Sequence, residues 1–151
     1  MTDAAAPEAE LLTFRLGHQE YALDIMCVRE IRGWTRATPL PHAPPHMKGV
    51  INLRGTVLPV MDLSLRLGLD GPTKTERAVI VVVKHQGAMT GLLVDAVSDI
   101  VTVGAEELQT PPGAVGAGGT HIVTALTLLE DRMIRILDLG AIVAGADREV
   151  A

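Results

Sequence analysis

The chain reads as an all-β protein made of two copies of one small five-stranded barrel, each copy ending in a short helix. Three observations predict this. First, the sequence repeats itself. Residues 21–31 (YALDIMCVREI) match 90–100 (TGLLVDAVSDI) at an offset of sixty-nine, so Leu23 meets Leu92, Val28 meets Val97, Glu30 meets Asp99 and Ile31 meets Ile100. Residues 49–63 (GVINLRGTVLPVMDL) match 125–139 (ALTLLEDRMIRILDL) at an offset of seventy-six, laying Asp62-Leu63 on Asp138-Leu139. A period of about seventy residues is too long for a solenoid unit and suits a doubled small domain. Second, 48% of residues are apolar but only 2% aromatic, so the core is aliphatic and rich in the β-branched contacts that suit strands. Third, short apolar or alternating segments follow one another with turn residues between them, and none carries a long helical period.

Taken in order, residues 1–10 (MTDAAAPEAE) form an acidic polar tail with neither a basic nor an apolar targeting region. Strands are expected at 11–17, 20–25, 28–33, 50–54, 57–61, 78–84, 89–95, 97–103, 121–128 and 132–137. Pro59 has no amide donor, which places its strand at an edge or a barrel corner. Asp62 can cap a helix over LSLRL with Gly68 as its left-handed exit, and Asp138 can cap LGAIVA with Gly145 ending it. Residues 146–151 are a short tail. Each repeat thus holds about five strands, and barrel closure removes the exposed edges of so small a sheet. The first barrel is expected over roughly 11–77 and the second over roughly 78–145, with exchange of strands between them left open. The longest apolar run, Ala78–Val83, falls far short of the roughly twenty residues of a bilayer helix. No direct membrane insertion is expected. The single cysteine, Cys27, excludes an internal disulfide, and the whole fits a soluble cytoplasmic protein.

Composition also excludes functions. A net charge of −5 argues against nucleic-acid binding, which needs clustered Lys and Arg. Phe14, Tyr21 and Trp34 are the only rings, too few for a base-stacking platform. His42 and His46 have a His-x3-His spacing, but the prolines around them forbid a helical pair and no second cluster completes a ligand set. They read as exposed loop histidines, and neither metal nor cofactor is expected. GAVGAGGT (113–120) superficially resembles a phosphate loop, yet prolines precede it, a strand follows it and it lacks Lys-Ser or Lys-Thr. Ser64, Ser98 and Cys27 lack an adjoining base, and Glu106-Glu107 read as a solvated face. No catalytic residue is assigned.

Charge is distributed unevenly. Between Val28 and Arg54 the chain carries Arg29, Arg32, Arg36, Lys48 and Arg54 against Glu30 alone. NLRGTVLP predicts a tight hairpin with Arg54-Gly55 at its tip, and the matching tip in the second copy is Glu130-Asp131. The two tips are either ordinary solvated turns or a device by which the first copy offers a guanidinium fork to an acidic or carbonyl-rich partner.

The succession YALDIMCVREIRG, KGVINLRGTVLPVMDL, GLLVDAVSDIV, AEEL and DRMIRILDL resembles the CheW family of chemotaxis coupling proteins over residues 10 to 145. The block from Lys48 to Leu63 is the most specific. The resemblance implies two SH3-like barrels and a non-enzymatic adaptor joining the cytoplasmic tip of methyl-accepting chemoreceptors to the regulatory domain of the histidine kinase CheA. It implies that Val28, Glu30, Ile31, Gly49, Val50, Asn52 and Arg54 line or support a receptor groove. Gly49 would permit close approach of a receptor helix. Val28 and Ile31 can equally be core, Gly49 a turn residue, and Glu30 the partner of a nearby Arg. Gln109 and Ala114 match positions that carry kinase or array contacts in some members, where they are Arg and Phe. Alternatives are an adaptor of another chemosensory pathway, for pilus motility or gene regulation, and an enzyme or small-ligand binder using the cleft between barrels.

Overall fold

The computed structural model describes residues 8–69, 71–73, 77–111 and 122–150, with side chains up to 144. The ten strands are β1 (Glu8–Leu16), β2 (Gln19–Asp24), β3 (Val28–Gly33), β4 (Met47–Leu53), β5 (Thr56–Asp62), β6 (Val79–His85), β7 (Ala88–Val94), β8 (Ala96–Gly104), β9 (Val123–Leu129) and β10 (Arg132–Leu137). Helix α1 spans Leu63–Arg66 and α2 spans Leu139–Val150. Every strand expected from the sequence is present, with ends shifted by up to three residues.

The strands form two five-stranded sheets, ordered β8-β1-β2-β10-β9 and β3-β6-β7-β5-β4. The repeat converts one order into the other: β1 corresponds to β6, β2 to β7, and so on to β5 and β10. Register agrees as well. The parallel pair Ile136↔Ala22 becomes Val60↔Gly91 under the two sequence offsets. The fold is therefore a duplicated pair of SH3-like barrels in which each repeat lends its first hairpin to the other. A cut near residue 77 separates the repeats but not the sheets. We call β3-β6-β7-β5-β4 the central barrel and the other the terminal barrel.

Exchange explains why β1 and β6 are apolar on both faces. On β6, Ile80 and Val82 fill the central barrel, while Val81 and Val83 face the seam between barrels. On β1, Leu11 fills the terminal barrel, while Leu12, Phe14 and Leu16 enter the seam. The seam is the largest core, and Phe14 lies at its heart, fully buried and stacked on Tyr21 at 6.2 Å. Burying one such side chain contributes about 2–3 kcal/mol. The central barrel encloses Ile51, Leu53, Leu58, Val60, Ala78, Ile80, Val82 and Leu93, whereas the terminal barrel encloses Leu11, Ala22, Val103 and Ile134.

The helix caps form where the sequence places them. Asp62 accepts from Leu65 N, and Asp138 accepts from Gly140 N. Gly68 exits α1 with φ +78°. The Arg66 guanidinium then donates to the Ala141 and Ile142 carbonyls, both at 3.0 Å, tying α1 to α2.

Several expectations are corrected. Strand β1 starts at Glu8, paired with Gly104, so the tail does not reach residue 10. Helix α2 runs through Gly145 to Val150, because an interior glycine costs a helix only about 1 kcal/mol. Strand β5 is interior rather than an edge. Pro59 is accommodated because the β7 ladder covers only Val60–Asp62. His46 is buried rather than exposed. Ile25, expected to end β2, instead opens a short 3-10 turn, Ile25–Cys27.

Candidate functional site

Tight turns bring the sequence-selected residues of the central barrel into position. Arg54 and Gly55 adopt φ of +51° and +85°, and Leu53 pairs with Thr56 across them, forming a two-residue hairpin of the primed type. The Asn52 side chain accepts from Gly55 N at 2.8 Å and holds the turn. Arg54 then reaches back to β3, where its Nη2 donates to Glu30 Oε1 at 2.7 Å. The other Glu30 oxygen accepts from Arg32 Nη1 at 3.2 Å. Strands β3 and β4 are the two edges of their sheet, so this bond stitches the barrel shut across its open side. The Arg54 hydrogen bond, more than the Arg32 bond or the charges, holds the Glu30 carboxyl below its ordinary range. The pairing raises Arg54 in turn. The Arg54 side chain stays 69% exposed, with donors to spare.

The remaining predicted residues separate by role. Strand β3 alternates in burial, which places Ile31 (47% exposed) on the face opposite Glu30. Val28 is half-buried against the seam core. Val50 exchanges two backbone bonds with Thr38, at 2.8 and 2.9 Å. Gly49 is buried with φ +139°, and a Cβ there would stand 2.1 Å from the Thr38 carbonyl oxygen. The close approach that requires a glycine at this position is therefore made by the chain's own Thr38–Pro39 backbone. Arg32 was not singled out from the sequence. Its position two residues beyond Glu30, on the same strand face, was the available signal.

The terminal barrel repeats the device with other residues. Its Glu130-Asp131 tip has φ of +49° and +72°, so the equivalent hairpins do carry opposite charge. Here Arg132, at the start of interior strand β10, donates to Asp99 on the edge strand β8 and to both oxygens of Glu20 on neighbouring β2. The Arg132 and Thr13 hydrogen bonds lower Asp99. Gln109 is exposed and pairs through its backbone with Leu126, at 2.8 Å in both directions. Ala114 and the GAVGAGGT stretch lie outside the described residues.

Other polar groups stand apart from these. Ser64 is buried at the start of α1, and Ser98 is exposed on β8. Burial pushes the Cys27 thiol up to about 11, assisted by Asp24. Among the described residues no group of three or more His, Cys, Asp or Glu could hold a metal ion. No described helix is long and apolar enough to cross a membrane.

The fold is thus a pair of interlocked SH3-like barrels, each with an intramolecular ion pair beside its hairpin tip. Comparison with known proteins gives the family. The CheW-like domain model matches residues 10–147. A chemotaxis protein CheW from Rhizobium meliloti is 46% identical over 142 residues, covering 94% of this chain and 92% of that protein. The crystal structure of a scaffolding CheW from Thermoanaerobacter tengcongensis superposes with a TM-score of 0.79 at 32% identity, covering 87% of this chain and 90% of that one. Protein PilI from Pseudomonas aeruginosa is 39% identical over 85 residues, 56% of this chain and 47% of that protein. The chain belongs to the CheW-like family, and its function is that of a chemotaxis scaffold.

Proposed function

We propose that this scaffold couples the cytoplasmic tip of transmembrane chemoreceptors to the regulatory domain of a CheA-type histidine kinase, performing no chemistry itself. The observation that carries the reading is the Glu30–Arg54 ion pair. It fixes an exposed guanidinium at the tip of a hairpin whose next strand presents Val57, 69% exposed. A helix-in-groove partner needs an apolar wall with a few polar anchors. Ile31 and Val57 supply apolar surface, and Arg54 supplies a planar donor that Lys cannot reproduce. In this reading Glu30 and Asn52 aim Arg54, while Gly49 and Val50 hold β4 against Thr38 and act through the backbone. Val28 joins the groove to the seam core. Gln109 and Ala114 belong to a separate kinase or array contact. The scaffold works at the inner face of the membrane by association with receptors.

The test is a pull-down with a soluble receptor signalling tip, using Arg54→Glu and Ile31→Asp. Both substitute exposed side chains, so both variants should fold and both should lose the receptor. Normal capture by both would remove the groove assignment. The likeness to PilI supports a second reading, the same adaptor in a pilus pathway. Identifying the histidine kinase that co-purifies from lysate separates the two.

A further inference from the structure

The two barrels hold an acidic side chain at equivalent points of their edge strands, Glu30 on β3 and Asp99 on β8. They hold it with different residues. Asp99 is bonded by Thr13 of the neighbouring strand β1. The corresponding neighbour of Glu30 is Val82, a core residue that offers no hydrogen bond. Two residues further along each edge strand the polarity is exchanged, with Val101 in the terminal barrel and Arg32 in the central one. Arg32 Nη1 donates to Glu30 Oε2 at 3.2 Å and so supplies what Thr13 supplies to Asp99. It is the only hydrogen bond that the Arg32 side chain makes among the described residues, since its Nε is buried without a partner.

The contact has a geometric and an electrostatic consequence. The terminal torsion of a glutamate is broad, so an unheld carboxylate samples many directions. With Oε2 held by Arg32, Oε1 faces Arg54 Nη2 at 2.7 Å. Arg32 and Glu30 share strand β3, whereas Arg54 sits at the tip of a separate hairpin, so the strand sets the direction and the hairpin follows. Two guanidinium groups against one carboxylate leave one positive charge in excess, and Arg54 is the more exposed of the two. The terminal barrel has the reverse balance, one guanidinium, Arg132, against Glu20 and Asp99.

We propose that Arg32 is a positioning residue of the docking face: by holding one oxygen of Glu30 it sets the direction in which Arg54 is offered to a partner. Its consequence for docking rests on the receptor reading given above. Its hold on Glu30 and Arg54 belongs to the unbound chain and is tested there separately.

The experiment compares Arg32→Met, Arg32→Lys and Arg54→Ala in the full chain, with circular dichroism confirming the sheets of each. Methionine keeps the packing of the arginine stem and removes its donors and charge; Arg32→Ala takes its place if it does not fold. In the unbound protein Arg32→Met should raise the Glu30 midpoint in carbon-detected NMR, because a hydrogen bond that lowers it is lost. It should also lower the heteronuclear NOE of the Arg54 Nε–H group. Arg32→Lys, which keeps a donor and the charge, should recover both in part. Capture of a soluble receptor signalling tip should weaken about two- to fivefold in Arg32→Met, the range of a partly exposed ion pair. Adding Arg32→Met to Arg54→Ala should weaken capture no further. An unmoved Glu30 midpoint or an unchanged Arg54 NOE would overturn the proposal. So would an equal loss of capture with and without Arg54, which would make Arg32 a direct contact. Capture indifferent to Arg54→Ala would count against the receptor reading, and the NMR signals of the unbound chain would still decide the role of Arg32.

Discussion

Replacing Gly49 with alanine isolates the close backbone contact between β4 and the Thr38–Pro39 segment. The added Cβ would lie 2.1 Å from Thr38 O, 2.5 Å from Thr38 C and 2.9 Å from Pro39 N. A carbon normally approaches a carbonyl oxygen no closer than about 3.3 Å, so the Thr38 segment must retreat by about 1 Å. That displacement breaks the two Thr38–Val50 backbone bonds, at about 0.5–1.5 kcal/mol each. A non-glycine residue held at φ +139° adds about 1–3 kcal/mol of strain. Together these destabilise the protein by about 3 kcal/mol, or roughly 6–12 °C in Tm for a chain of this size. Gly91→Ala is the control. Its nearest obstacle is Ile80 Cγ2 at 2.8 Å, a β-branched methyl fixed in the barrel core, so about 1–3 kcal/mol is expected from overpacking. Urea unfolding followed by circular dichroism measures both. A Gly49→Ala protein that unfolds at the same urea concentration as the unsubstituted chain would refute the backbone contact. The comparison also bears on the proposed receptor site, because under that proposal a bulky residue at Gly49 acts by displacing β4 from Thr38.

Three further predictions follow from the same geometry. Asp62 is fully buried and accepts from Leu65 N, Thr73 N and Thr73 Oγ1, whereas its counterpart Asp138 is exposed and caps Gly140 alone. Asp62→Ala should therefore cost about 3 kcal/mol by orphaning buried donors, against about 1 kcal/mol for Asp138→Ala, read from urea midpoints. The Glu30 carboxyl titrates below its ordinary value because of Arg54. The pair's contribution is thus present above the unfolded carboxylate pKa and lost as pH falls through the depressed folded value. Carbon-detected NMR should show the Glu30 midpoint rising in Arg54→Gln, and an unmoved midpoint would contradict the pairing. The Cys27 thiol, raised to about 11, should react with iodoacetamide at pH 8 far more slowly than in the urea-unfolded chain. Equal rates would show that burial does not govern it.

The elements were legible because their signals are local. Alternation, turn residues and caps at Asp62 and Asp138 act over a few positions, and all ten strands and both helices answer to them. The errors arose where a distant partner decided. Pro59 pointed to an edge or a barrel corner, and the edge is excluded, since the short reach of the β7 ladder admits it in an interior strand. His46 looked exposed in its proline-rich loop, but the fold buries it. Of the proposed docking residues, the Arg54-Gly55 turn and its charge contrast with Glu130-Asp131 were readable. That Arg54 bonds Glu30, twenty-four positions earlier, was not, since nothing local couples β3 to the hairpin. Gly49 was expected to admit a receptor helix, and the backbone that approaches it is Thr38 of the same chain.

The amino-acid order by itself determined that one aliphatic unit is used twice, where its strands lie, and which residues occupy equivalent places. Only tertiary structure decided that each unit hands its first hairpin to the other. Both arrangements satisfy the same alternation and the same turns, because the two copies share one pattern. The choice is made by non-local burial. β1 and β6 carry apolar side chains on both faces, and only between the barrels can each cover both at once.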